Sequence, residues 1–205
     1  MRTTGIVTDS HSSISQSEAE KLGIFVLPMP FYMNGTCYYE GINITREEFL
    51  DRLCRLEDIS TSQPSPEAVM ELWDKALSQY KDILYIPISS GLSGSCMTAQ
   101  AMAQEEPYAG RVFVVDNGRV STPMHRSVLD AVELAEKGYR AQKIKDVLEK
   151  NREHMVIYVG LSTLTYLKKG GRISSVAAVA ADVLKIKPVM KFGVGKLDVY
   201  QKCRG

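Results

Sequence analysis

Long hydrophobic runs are missing from this sequence. Its apolar stretches fall far short of the roughly 18 to 20 residues that cross a bilayer, and the opening MRTTGIVTDS has no apolar core of a secretory signal. A cytoplasmic protein is expected. Cysteine is sparse and unpatterned: Cys37, Cys54, Cys96 and Cys203 form no C-x-x-C and have no histidine partners nearby. That argues against a zinc site or a disulfide framework and for reduced, structural thiols. Histidine is scarcer still, with His11, His125 and His154 in three separate segments. No metal or cofactor is expected.

What is present suits a globular protein. The 205 residues are long enough for one large domain or two small ones, and 44% hydrophobic content is ordinary for a chain that buries a core. The formal net charge of +1 conceals an asymmetry: residues 167–205 hold nine Lys or Arg against two Asp, a net of +7, while residues 1–166 carry −6. A basic segment on an acidic body suits nucleic acid, an acidic membrane surface or an acidic protein. The basic residues are interspersed with apolar and glycine positions, and few aromatic faces lie nearby. A nucleic-acid partner is therefore not expected, and a solvated lysine face is the plainer alternative.

Strand-like runs alternate with helix-like segments, the pattern of βαβ units and a mainly parallel sheet flanked by helices. Strands are expected at Thr4–Thr8, Ile24–Leu27, Ile83–Ile88, Arg111–Val115 and Met155–Val159. Between Phe31 and Tyr39, Asn34-Gly35 marks a hairpin, because both residues accept positive φ. A short helix from Ser17 to Leu22 stops at Gly23, and Thr45-x-x-Glu48 is a capping box opening a helix to about Leu56. Ser65, Pro66 and Glu67 supply a cap, a first-turn proline and an acid for a helix whose apolar stripe includes Val69, Trp73, Ala76 and Tyr80. Further helices are expected at Ser95–Gln104, Met124–Lys137 and Gln142–Asn151, and a small-residue helix at Ser175–Leu184. Strands at Lys185–Phe192 and Leu197–Tyr200, joined through Gly193–Gly195, finish the chain. The best boundary lies near residue 153, giving an α/β domain over 1–153 and a smaller α/β domain over 154–205.

The chemistry concentrates in ISSGLSGSCMTAQ, residues 88–100, where four serines and two glycines fall within seven positions between a strand and a helix. Such a loop points free backbone N–H groups at one spot, and the helix dipole there favours an anion. Ser89, Ser90, Ser93 and Ser95 add rotatable donors for a carboxylate or phosphate oxygen, or else simply cap the helix and fill the turn. A P-loop requires a lysine that SSGLSGSC does not supply, which argues against ATP binding by that route. A hydrolase elbow requires G-x-S-x-G; Gly91-Leu-Ser93-Gly-Ser95 lacks the final glycine, and no motif ties a histidine to Ser93. An esterase using Ser93 stays as the alternative to a protein that grips an anionic head group without chemistry. The grip is favoured by a second hydroxyl cluster, Thr61 and Ser62 in ISTSQPSP, which precedes another helix. Both clusters, with Thr8-Asp9-Ser10, fall at the strand ends where open α/β sheets take ligands. Asp9 repels anions and is expected to orient hydroxyls or cap the next segment.

The ordered set VTDS, TSQPSP, ISSGLSGS, LKKGGRIS and LKIKPVMKFGVGKLDVYQKCRG resembles the DegV family, bacterial fatty-acid-binding proteins that include the lipid-binding subunits of fatty acid kinase. The resemblance covers essentially the whole chain. It implies a two-domain α/β carrier, not an enzyme, enclosing a long acyl chain between its domains. The carboxylate is then held by Thr61, Ser62 and Ser93 with the Gly94 and Ser95 amides close by. The resemblance further implies presentation of that carboxylate to a separate ATP-dependent kinase subunit, docked through Arg172, Lys202 and Arg204, and is compatible with transient membrane contact. Family members usually run on past the K-x-R-G motif, whereas this sequence stops at Gly205, so the second domain is expected to be a partial lid.

Overall fold

The computed structural model describes residues 2–55, 57–172, 186–193 and 197–204. Ten strands and seven α-helices fall among the described residues. The chain opens with β1 (Thr4–Asp9), buried along its whole length, then α1 (Gln16–Leu22) and β2 (Phe25–Leu27). An excursion follows: β3 (Pro30–Met33), β4 (Thr36–Tyr39), α2 (Arg46–Cys54) and β5 (Ile59–Thr61). The main fold resumes with α3 (Pro66–Leu77), β6 (Asp82–Ile86), α4 (Ser95–Met102), β7 (Val112–Val114), α5 (Ser121–Glu136) and α6 (Ala141–Lys150). The last described elements are β8 (Ile157–Gly160), α7 (Thr165–Lys169), β9 (Ile186–Phe192) and β10 (Leu197–Arg204).

The central sheet runs β2-β1-β6-β7, every pair parallel. Parallel strands are covered on both faces, which is why β1 and β6 are buried along their whole length, with apolar centres at Ile6-Val7 and Ile83–Ile86. On one face Ile6, Leu84 and Ile86 meet Val128, Ile144 and Leu148 of α5 and α6. On the other, Val7, Ile83 and Tyr85 meet Trp73 of α3 and Cys96 of α4. The fully buried Trp73 stands edge-to-face against Tyr85 and Tyr108, at 5.7 and 5.2 Å between ring centroids. Such pairs contribute about 0.5–1.5 kcal/mol each beyond the area they bury.

Chain order places the site. From β1 the chain moves to β2 on one side, and after the excursion it returns through α3 to β6 on β1's other side. Connections that diverge from neighbouring strands leave a crevice at their carboxyl ends. The excursion forms its own antiparallel sheet, β4-β3-β5, in which Asn34 (φ 49°) and Gly35 (φ 80°) make the expected hairpin turn. Phe49 of α2 packs edge-to-face on Phe31, 5.3 Å away. A third antiparallel sheet, β10-β9-β8, holds the last strands.

Several boundaries differ from the sequence expectation for identifiable reasons. Strand β6 stops at Ile86 rather than Ile88, because the Ile88 amide turns to the Asp9 carboxylate instead of a neighbouring strand. Helix α5 starts at Ser121, three residues before the expected Met124, and takes Pro123 into its first turn. Strand β5 has only the sequence signature of a polar cluster; it is a strand because it completes the free edge of β3, with Thr61 opposite Phe31. The expected small-residue helix at Ser175–Leu184, and the turn beyond Gly193, lie outside the described residues.

Candidate functional site

Three loops meet at the carboxyl end of the parallel sheet. The first follows β1, where Asp9 is fully buried. Its Oδ2 accepts from the Ile88 amide at 2.8 Å and its Oδ1 from the His11 amide at 2.9 Å, with the His11 ring nitrogen Nδ1 at 3.1 Å. Asp9 therefore caps the turn at Ser10–Ser12 and ties the β1 loop to the β6 loop, as its charge suggested.

The β6 loop is the serine run. Leu92 and Ser93 donate their amides to the Ser89 carbonyl at 3.0 and 3.2 Å, and the Ser89 hydroxyl accepts from the Gly91 amide at 3.2 Å. Ser90 is bound on its far side to Asp116 of the β7 loop: hydroxyl to Oδ2 at 2.5 Å, amide to Oδ1 at 3.3 Å. Helix α4 then starts after Gly94, which has no side chain to cap it, and the Ser93 hydroxyl accepts from the Ser95 amide at 3.3 Å. Ser95 is 5% exposed, yet its Oγ has no partner among the described residues. A buried hydroxyl without a partner costs about 1–3 kcal/mol, so this one is set to meet a polar group.

The TSQP segment lies against the same helix start. Thr98 of α4 donates to the Gln63 Oε1 at 3.3 Å, and a Cβ on Gly94 would stand 3.6 Å from that oxygen. Thr61 is exposed at the end of β5, while the Ser62 hydroxyl donates to the Gln63 carbonyl at 2.8 Å. The two hydroxyl-bearing segments are thus joined through Gln63. Gln63 and Asp116 were not foreseen as site residues; the single signal for Gln63 was its place inside the TSQP motif.

The residues expected to dock a partner are distributed differently. Arg172 reaches the serine run itself, its Nε donating to the Leu92 carbonyl at 3.2 Å. Just before it, Lys169 pairs with Asp58, and the Tyr166 hydroxyl donates to the Leu53 carbonyl at 3.1 Å. Lys202 is exposed on β10 opposite Pro188 of β9, and the backbone of Arg204, also on β10, pairs with Ile186 of β9.

An esterase triad finds no support in this geometry. His11 faces Asp9, His125 Nε2 pairs with Glu18 at 3.0 Å, and His154 Nδ1 lies 3.3 Å from Asn151 Oδ1. Among the described residues none of these rings is bonded to Ser93. No described helix is long and apolar enough to cross a membrane.

The fold and the site together define an α/β protein with hydroxyl-bearing loops gathered at the strand ends of a parallel sheet. A family model described as "Uncharacterised protein, DegV family COG1307" matches residues 3–205, and the chain belongs to the DegV family. A DegV domain-containing protein of Staphylococcus aureus (strain N315) is 32% identical over 199 residues, which are 97% of this chain and 71% of that protein. Among solved structures, a fatty-acid-binding DegV family protein from Thermus thermophilus superposes with a TM-score of 0.86 at 34% identity, covering 100% of this chain and 72% of the other. A stearic-acid-binding protein from Eubacterium ventriosum gives 0.86 at 25% identity, covering 100% and 71% respectively. DegV from Bacillus subtilis, a fatty acid binding protein, gives 0.85 at 26%, covering 100% and 73%.

Proposed function

We propose that this protein is a non-enzymatic, cytoplasmic carrier of a long-chain fatty acid. The carboxylate is held by the hydroxyls of Thr61, Ser62 and Ser93 with the Gly94 and Ser95 amides, and the acyl chain lies between a domain over 1–153 and a second over 154–205. The observation that carries the reading is the pairing of the TSQP segment with the start of α4, beside a buried Ser95 hydroxyl that has no partner. The fatty acids held by the Thermus, Eubacterium and Bacillus relatives support it. The carrier presents the acid to a separate ATP-dependent kinase subunit, docked through Arg172, Lys202 and Arg204, and contacts membranes only transiently.

The energetics divide the work. Each buried methylene contributes about 0.8 kcal/mol, so the tail supplies most of the affinity. Hydrogen bonds to a charged group contribute about 1.5–3 kcal/mol each, so the loops set orientation and select for the acid. Thr61→Ala and Ser93→Ala are expected to weaken fatty acid binding by about tenfold each without unfolding the protein, as read by displacement titration beside a thermal melt. Unchanged affinity in both variants removes these residues from the site.

A further inference from the structure

The serine run is held from behind by two carboxylates, one from each neighbouring strand. Asp9 of β1 takes the Ile88 amide, and Asp116, just beyond β7, takes both the hydroxyl and the amide of Ser90. Ser90 stands three residues before Ser93, and the intervening turn is closed by the Ser89 carbonyl, whose own amide donates to Arg119 of the β7 loop at 3.0 Å. The turn that presents Ser93 therefore hangs from the β7 loop.

Asp116 is itself firmly placed. Its Oδ1 also accepts from the Gly118 amide at 3.3 Å, and Arg152 Nη2 lies 3.3 Å from its Oδ2. Its amide donates to Glu149 Oε1 at 3.1 Å, and Glu149 is paired with Lys145, which donates to the Val114 carbonyl at 2.6 Å. A loop rich in glycine and serine loses conformational freedom when it closes on a ligand, unless something has already ordered it. Asp116 orders this one and has an adjacent guanidinium to balance its charge.

We propose that Asp116 is a positioning residue for the head-group loop, acting through Ser90, and that it sets the preference for a carboxylate over an uncharged head of the same chain length. The inference rests on the fatty-acid reading given above. It predicts an effect on the acid and none on the alkyl tail, which a merely structural role does not produce.

The test is to measure the affinity of the full chain for palmitic acid and for the matching primary alcohol in the wild type, Ser90→Ala, Ser90→Thr, Asp116→Asn and Ser93→Ala. Loss of the Ser90 hydroxyl is expected to weaken acid binding by about tenfold and to leave alcohol binding within about twofold. Ser90→Thr, which keeps the hydroxyl, is expected to restore the acid preference, and Asp116→Asn to lose it. Parallel weakening of acid and alcohol, or an acid preference that survives both Ser90→Ala and Asp116→Asn, overturns the proposal. If Ser93→Ala abolishes the preference while those two variants keep it, only the positioning role fails. If the wild type binds neither ligand, the fatty-acid reading fails and this inference with it; if the wild type binds but Ser93→Ala also changes nothing, Ser93 leaves the site and the positioning role fails.

Discussion

Cys96 sits in the first turn of α4, immediately after the unpartnered Ser95, and is fully buried. Burial pushes its thiol up to about 12, with the nearby Asp116 carboxylate adding to the shift. At neutral pH it is a protonated, apolar-like side chain packed with Val7, Trp73 and Tyr85. The thiolate reagent test is direct: in the native protein at pH 8, Cys54 and Cys203, both exposed, are expected to react with a maleimide or a disulfide reagent while Cys96 does not. Labelling of Cys96 at the rate of the exposed pair contradicts its burial. Because the folded thiol ionises later than the unfolded one, its contribution to stability is complete below about pH 9 and declines as pH rises from there toward 12. Of the four thiols expected to be structural, Cys96 is the buried one, while Cys54 and Cys203 are exposed. Gln63 and Asp116 are not legible in the sequence, because a single polar residue in a loop has no periodicity, and its importance exists only through a partner distant in sequence: Thr98 for one, Ser90 for the other.

At the scale of elements, the best-read features were those whose signals are local. The caps at Thr45 and Ser65 each accept the amide three residues on, and the Asn34-Gly35 turn forms where its tolerance of positive φ allows. Strand β5 was missed because Ile-Ser-Thr is too short and polar to read as a strand until β3 offers it an edge. Strand β6 was read two residues too long because Pro87 and Ile88 continue the apolar pattern while the Ile88 amide is already committed to Asp9. The packing of β1 yields a sharper expectation. A Cβ on Gly5 would meet Tyr80 Cδ2 at 2.7 Å and Cγ at 2.9 Å, with Ile83 Cγ2 at 3.2 Å. Gly5→Ala is therefore expected to destabilise the fold by about 1–3 kcal/mol, the usual cost of overpacking. Urea unfolding should show a lower midpoint at unchanged slope, and an unchanged midpoint contradicts the close packing of α3 and its following turn on β1.

Over the whole molecule, the charge asymmetry visible in the sequence has a partial structural counterpart. The described start of the basic segment touches the acidic body at two points, Lys169 on Asp58 and Arg172 on Leu92, just after Tyr166 donates to the carbonyls of Leu53 and Glu57. Exposed ion pairs and single hydrogen bonds of this kind contribute about 0–1 kcal/mol each. Composition showed that a basic segment exists; that one of its arginines lands on the serine run could not be read from it, since the contact spans 80 residues of chain. The proposed carrier role joins these scales: a parallel sheet leaves a crevice, carboxylates on both sides fix the loop there, and hydroxyls on that loop face a ligand whose tail contributes most of the binding energy. The most direct test is to purify the full chain from a bacterial host, denature it, extract it and identify the released lipid by mass spectrometry. A stoichiometric long-chain fatty acid, lost from a Thr61→Ala, Ser93→Ala double variant that still folds, is the predicted result; an extract with no more fatty acid than that variant yields contradicts the account.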